Sequence, residues 1–96
     1  MIKVVARNFI QLDKVDEYIS IAKKLVAETN KNEKGCLRYE LFQDIANPQI
    51  LTILEEWEST EALGLHGATK HFTALAPHMD ACAEKPIEIN LYTQLA

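Results

Sequence analysis

Two strand-like runs separated by a five-residue turn sit in the middle of this chain, and they restrict how the rest can be arranged. Cys36 to Gln43, CLRYELFQ, alternates apolar and polar residues, and Gln49 to Trp57 does so again. Between them DIANP, Asp44 to Pro48, supplies turn residues, so the runs pair as an antiparallel hairpin. Helical and strand-like segments flank this hairpin on both sides.

Ile2 to Ile10, IKVVARNFI, is rich in β-branched and aromatic residues and reads as a first strand. Asp13 is expected to cap a helix whose residues Val15, Tyr18, Ile19, Ala22, Leu25 and Val26 form a buried stripe. The polar run NKNEK and Gly35 stop it near Asn30. Beyond the hairpin, Ser59 caps a helical segment reaching about Ala83. Gly64 and Gly67 weaken its first part, which predicts a short turn followed by a second helix over Thr69 to Ala83. Pro77 is expected to end or kink that helix, and Pro86 to introduce a last strand, Ile87 to Leu95.

The order strand, helix, strand, strand, helix, strand is the ferredoxin-like βαββαβ arrangement, an α+β sandwich formed as one domain over residues 1–96. Both helices then cover one face of a four-stranded sheet. The other face is expected to carry several of Val5, Phe9, Tyr39, Leu41, Leu51, Ile53 and Trp57, or of Val4, Ala6, Phe42, Ile50, Leu54, Ile87, Ile89 and Leu91. An open apolar area of that size implies a homodimer formed sheet to sheet, with a pocket between helix and sheet or inside the joined barrel.

Composition removes several classes of function. Fourteen acidic residues against ten basic ones give a charge of −4, which disfavours a nucleic-acid partner. No apolar run is long enough to span a membrane and no leader pattern opens the chain, so the expected compartment is the cytoplasm. Cys36 and Cys82 lack metal spacing and read as reduced thiols. His66, His71 and His78 include no i, i+4 pair, so no metal site is expected. Dinucleotide, phosphate-loop and serine-hydrolase motifs are missing; Glu40, Glu55 and Glu56 could sit in the cavity, but their spacing does not mark a carboxylate pair over solvated strand residues.

Chemistry concentrates in Glu55 to Phe72, EEWESTEALGLHGATKHF. His66 titrates in the useful range and sits at a strand-to-helix junction, which makes it the candidate base. Trp57 could stack on a flat ring or simply fill the core. Asn8 is polar in an apolar strand and could hold a substrate oxygen or satisfy a backbone group. On one ideal helix His71 would lie roughly 140° from His66, so only a break near Gly67 would bring the two together. Phe72 forms a three-and-four stripe with Leu75 and Met79 that is most simply core.

The pieces VVARNF, EKGCLRYELFQD, EEWESTEALGLHGATKHF and EINLY, in this order over nearly the whole chain, resemble the antibiotic biosynthesis monooxygenase (ABM) domain family. The resemblance implies a dimeric α/β barrel that oxidises phenolic or quinol-like aromatics with dioxygen, using neither metal nor flavin. Branch members acting on polyketide aromatics carry Asn and Tyr where this chain has Ile53 and Leu63. The haem-degrading branch carries Trp at the position of His66 and its iron ligand near Ala76, with Asn8 and the nearby His78 as partial echoes. The spacing from Trp57 to His66 and on to His71 is most similar to the quinol-monooxygenase-like branch. Under that likeness His66 and Asn8 are catalytic, Trp57, His71 and Phe72 bind substrate, and no cofactor is needed. Two alternatives stay open: an isomerase of a small phosphorylated, sugar-like molecule, requiring Arg7, Arg38 or a lysine in the pocket, and a non-catalytic dimer that binds small aromatics.

Overall fold

A computed structural model describes all residues 1–96. The elements are β1 (Ile2–Ile10), a 3-10 turn (Leu12–Lys14), α1 (Val15–Asn32), β2 (Cys36–Gln43), β3 (Ile50–Trp57), α2 (Thr60–His66), α3 (Lys70–Asp80) and β4 (Ala83–Tyr92). The sheet order is β2-β3-β1-β4 with every neighbouring pair antiparallel, so the fold is ferredoxin-like α+β. The hairpin closes as expected: Asp44 Oδ1 accepts from the amides of Ala46 and Asn47 at 2.8 and 2.9 Å, a side chain mimicking the backbone of a turn.

Tyr18, Ala22, Leu25 and Thr29, spaced by three and four, form the buried stripe of α1. Tyr18, Ala22 and Leu25 enter a core with Val4, Ala6, Ile10, Tyr39, Leu51, Ile53, Trp57, Met79 and Cys82. Fully burying one such large apolar side chain stabilises by roughly 1.5–3 kcal/mol. Gly35 sits where α2 crosses the start of β2. A Cβ there would stand 2.5 Å from the Ala62 Cβ, so no larger residue fits without moving the helix.

Four expectations need correction. Asp13 lies inside the 3-10 turn, and α1 has no side-chain cap and runs on to Asn32. Pro77 lies within α3, which continues to Asp80. The last strand begins at Ala83, ahead of Pro86. β4 is an edge strand, and Pro86 falls where the β1–β4 register shifts, a place where a missing amide breaks no ladder. The fourth correction concerns the sheet faces. Pairing of Val4 with Glu55 and with Leu91 puts Val4, Ala6 and Asn8 on the helix side together with Tyr39, Ile53, Glu55, Ile87, Ile89 and Leu91.

The open face is therefore less apolar than alternation alone predicts. It carries Val5, Leu54, Phe42 and Tyr92 among the ion pairs Lys3–Glu56, Arg7–Glu88 and Arg38–Glu40. On the helix side, β4 is incompletely covered: Ile87, Ile89 and Leu91 remain 44, 54 and 54% exposed. A cavity is left between sheet and helices with its β4 wall reached by solvent.

Candidate active site

Strand alternation places Ile53, Glu55 and Trp57 on the inner face of β3, and all three are buried. Trp57 Nε1 donates to Glu55 Oε1 at 2.8 Å. Glu55 is only 7% exposed and has no lysine or arginine partner. Burial pushes its carboxyl up to about 7, with the charge of Glu33 adding to the effect and the Trp57 hydrogen bond opposing it.

Two helix caps bring the histidines together. Ser59 accepts from the Ala62 amide and starts α2, which ends at His66. After Gly67, Thr69 caps α3 by accepting from the Phe72 amide, and its hydroxyl donates back to the His66 carbonyl at 2.7 Å. The break allows His66 and His71 to converge on Glu33, which lies between α1 and β2. His66 Nδ1 and His71 Nε2 each lie 2.7 Å from the same Glu33 oxygen, Oε2.

His66 Nε2 lies 3.3 Å from the Tyr39 hydroxyl. Burial lowers the His66 pKa, outweighing the pull of Glu33 in the other direction. The ring is therefore neutral, and its partners assign the tautomer: Nδ1–H donates to Glu33, and Nε2 accepts from Tyr39. Burial, reinforced by the charge of Glu55, raises the Tyr39 pKa far out of range, so its hydroxyl keeps its proton. Trp57, Phe72 and Tyr39 pack round the imidazole at centroid distances of 4.9, 4.8 and 5.2 Å.

The cavity beside these groups holds about 250 Å³ and is mainly apolar. Asn8, Tyr39, Glu55, His66 and Asp80 are its polar side chains, and no lysine or arginine lines it. That is room for one small ring system in a setting that favours neutral species. The same architecture recurs widely among solved structures. The sequence model for antibiotic biosynthesis monooxygenases matches residues 1–78. The chain belongs to this family.

Among solved structures, a conserved protein from Methanosarcina mazei Go1 is 39% identical, with 98% of this chain and 92% of that one covered and a TM-score of 0.93. A crystal structure described as an antibiotic biosynthesis monooxygenase is 34% identical over the full length of both chains, also with a TM-score of 0.93. In sequence, the chain is similar to the protein sll1783 of Synechocystis, at 29% identity over 93% of this chain. It spans 60% of that relative's length. YcnE of Bacillus subtilis, named for a proposed monooxygenase activity, is 26% identical with 93% of each chain covered.

Of the residues singled out from sequence in this ABM-family chain, Asn8, His66 and Phe72 line the cavity. Asn8 Nδ2 donates to the Ala6 carbonyl at 3.2 Å. Trp57 and His71 do not line it: Trp57 is fully buried behind the wall as a partner of Glu55, and His71 lies behind His66 on Glu33. His78 is exposed on α3. Arg7 and Arg38 are on the opposite sheet face in ion pairs.

Three residues central to the site were not singled out: Glu33, Tyr39 and Glu55. Glu33 was hidden in a run that reads as a helix stop. Glu55 did leave a signal, since it stands two residues before Trp57 and so shares its strand face. Glu33, His66 and His71 also offer three ligand atoms within 4.8 Å of one another. Ligand atoms around a zinc ion at its usual bond lengths stand about 3.3 Å apart. Here each histidine nitrogen is hydrogen-bonded to Glu33 Oε2 at 2.7 Å, and an ion would have to open these two contacts to enter.

Proposed function

We propose that this chain is a cofactor-independent monooxygenase that oxidises a small quinol or phenol with dioxygen. The observation that carries the proposal is the neutral His66 imidazole in the wall of an apolar cavity, with Nδ1–H fixed on Glu33 and Nε2 left as acceptor. Family membership and the likeness to YcnE support the reaction class.

In this reading the substrate hydroxyl displaces the Tyr39 contact and gives its proton to His66 Nε2. The quinolate passes one electron to dioxygen, and the resulting radical pair combines to form a carbon–oxygen bond on the ring. Loss of water from the peroxide leaves a hydroxyquinone, so quinol plus dioxygen yields hydroxyquinone plus water. The cavity favours the deprotonated substrate through His66, and its mainly apolar lining limits the water around the intermediates. Asn8 stands on the cavity wall where its amide can hold a substrate oxygen, and Phe72 supplies an apolar surface beside the ring.

The cavity has no cation to receive a phosphoryl group, which disfavours the isomerase reading. Dioxygen uptake on addition of menadiol tests the proposal. Uptake is expected in the wild type and is expected to fall by about 100-fold or more in His66→Ala. Uptake that His66→Ala leaves intact removes this residue from the mechanism; phenol binding with no uptake for any quinol points to a binding protein instead. We also propose that a second copy pairs with the open sheet face through Val5, Leu54, Phe42 and Tyr92, with the interleaved charges setting register. Light scattering at micromolar concentration that returns one chain's mass would exclude that pairing.

A further inference from the structure

We propose that Glu55 is a second acid–base group of the cavity, one that protonates the peroxide intermediate and then removes the ring proton as the oxygen–oxygen bond breaks. This inference rests on the oxygenation reading above. Its starting point is placement. Glu55 is a carboxyl group in the wall of a mainly apolar cavity, and its one assigned contact is the indole N–H on Oε1. The lysines and arginines that pair across this sheet do so on its other face. A buried carboxylate without a cation is costly, and a structure that only needed to support Trp57 could do so with a neutral acceptor.

The groups that surround Glu55 reinforce the point. Cys36 and Tyr39 on β2, Glu33 before it, His66 on α2 and Asp80 on α3 are the titratable side chains near it on the helix side, and none of these is a permanent cation. Lys3, Arg38, Glu40 and Glu56 border a groove that Glu55 also lines, and there Lys3 and Arg38 pair with Glu56 and Glu40. Titration near neutrality follows, which is the range in which one group can both give and take a proton efficiently.

The proton account closes when the two groups share the transfers. His66 takes the hydroxyl proton, and oxygen adds to the ring carbon as a peroxide anion. Glu55, protonated, gives its proton to that anion and becomes a carboxylate. The carboxylate takes the hydrogen from the same ring carbon, the freed electron pair forms the carbonyl, and hydroxide departs. Protonated His66 converts the hydroxide to water. Both residues return to their starting states, and the net change is quinol plus dioxygen to hydroxyquinone plus water.

The test uses Glu55→Gln, whose amide oxygen can still accept the Trp57 N–H, with Glu55→Asp as a variant that keeps a carboxyl. With menadiol, Glu55→Gln is expected to lose about 100-fold or more in kcat and to lose the ionisation near neutral pH, while Glu55→Asp keeps a pH-dependent rate. Binding of 2-naphthol, followed by fluorescence, should change by less than about threefold in Glu55→Gln, as expected for a group that acts on intermediates. Wild-type rate and pH profile in Glu55→Gln would overturn the assignment and leave the oxygenase reading standing. If the wild type oxidises no quinol, the oxygenase reading fails. Carbon-13 NMR of the Glu55 carboxyl then decides alone: a titration midpoint that does not move on 2-naphthol binding overturns contact with the ligand, and one that moves supports it.

Discussion

Replacing Glu55 by glutamine removes a buried charge yet leaves an oxygen for the Trp57 indole, so its effect on folding can be worked out in advance. Burial raises the carboxyl from 4.5 to about 7, a difference of about 2.5 pH units. At about 1.4 kcal/mol per pH unit this corresponds to about 3 kcal/mol. The sign follows from which state holds the proton. Below pH 4.5 the carboxyl is protonated in both folded and unfolded chains, and its full contribution is present. Between 4.5 and about 7 the folded protein keeps a proton that the unfolded chain has released, so stability falls as pH rises. Above about 7 the loss is complete.

Glutamine does not titrate, so Glu55→Gln should match the wild type near pH 4 and exceed it by about 3 kcal/mol at pH 8. At roughly 4–8 °C per kcal/mol, the difference in Tm at pH 8 is of the order of 10–20 °C. Urea unfolding of both proteins across this range measures it, since titrating groups not coupled to Glu55 cancel in the difference. A gap that stays constant with pH refutes the reasoning, because Glu55 would then titrate as it does in the unfolded chain. A stabilised variant with lost activity is the signature of a group retained for function.

Three further outcomes follow from the same contacts. Trp57→Phe deletes the hydrogen bond that draws the Glu55 carboxyl down, so the Glu55 midpoint in carbon-13 NMR should rise above its wild-type value; an unchanged midpoint contradicts the assigned contact. Glu33→Gln removes the charge that favours protonated His66, so His66 should titrate still lower by nitrogen-15 NMR, with a loss of about 1–3 kcal/mol in urea unfolding from the weakened acceptor. A His66 midpoint that rises would contradict the arrangement. Gly35→Ala places a methyl group 2.5 Å from the Ala62 Cβ and should cost roughly 1–3 kcal/mol by overpacking; a wild-type Tm would mean that α2 does not cross there.

The sequence by itself determined what depends on near neighbours along the chain. The alternation of CLRYELFQ, the three-and-four stripe of Tyr18, Ala22 and Leu25, the Asp44 turn and the Ser59 cap are local, and each appears in the structure. Their order was enough to name the ferredoxin-like sheet, and the pieces VVARNF, EKGCLRYELFQD, EEWESTEALGLHGATKHF and EINLY, in that order, were enough to point at the family. Register was beyond it, because alternation within a strand does not say which residue of another strand stands opposite. That is why Val4 joined the face of Glu55 and the open face acquired its ion pairs.

Only the tertiary structure decided the chemistry of the site. Glu33 reaches His66 and His71 across 33 and 38 positions of chain, and the turn through Gly67 and Thr69 aims both rings at one oxygen. Glu55 reads as a solvated strand residue until α2 and α3 cover its face of the sheet. Once covered, it is a carboxyl near neutrality, because its charge is set by the solvent and charges around it and not by its neighbours in sequence.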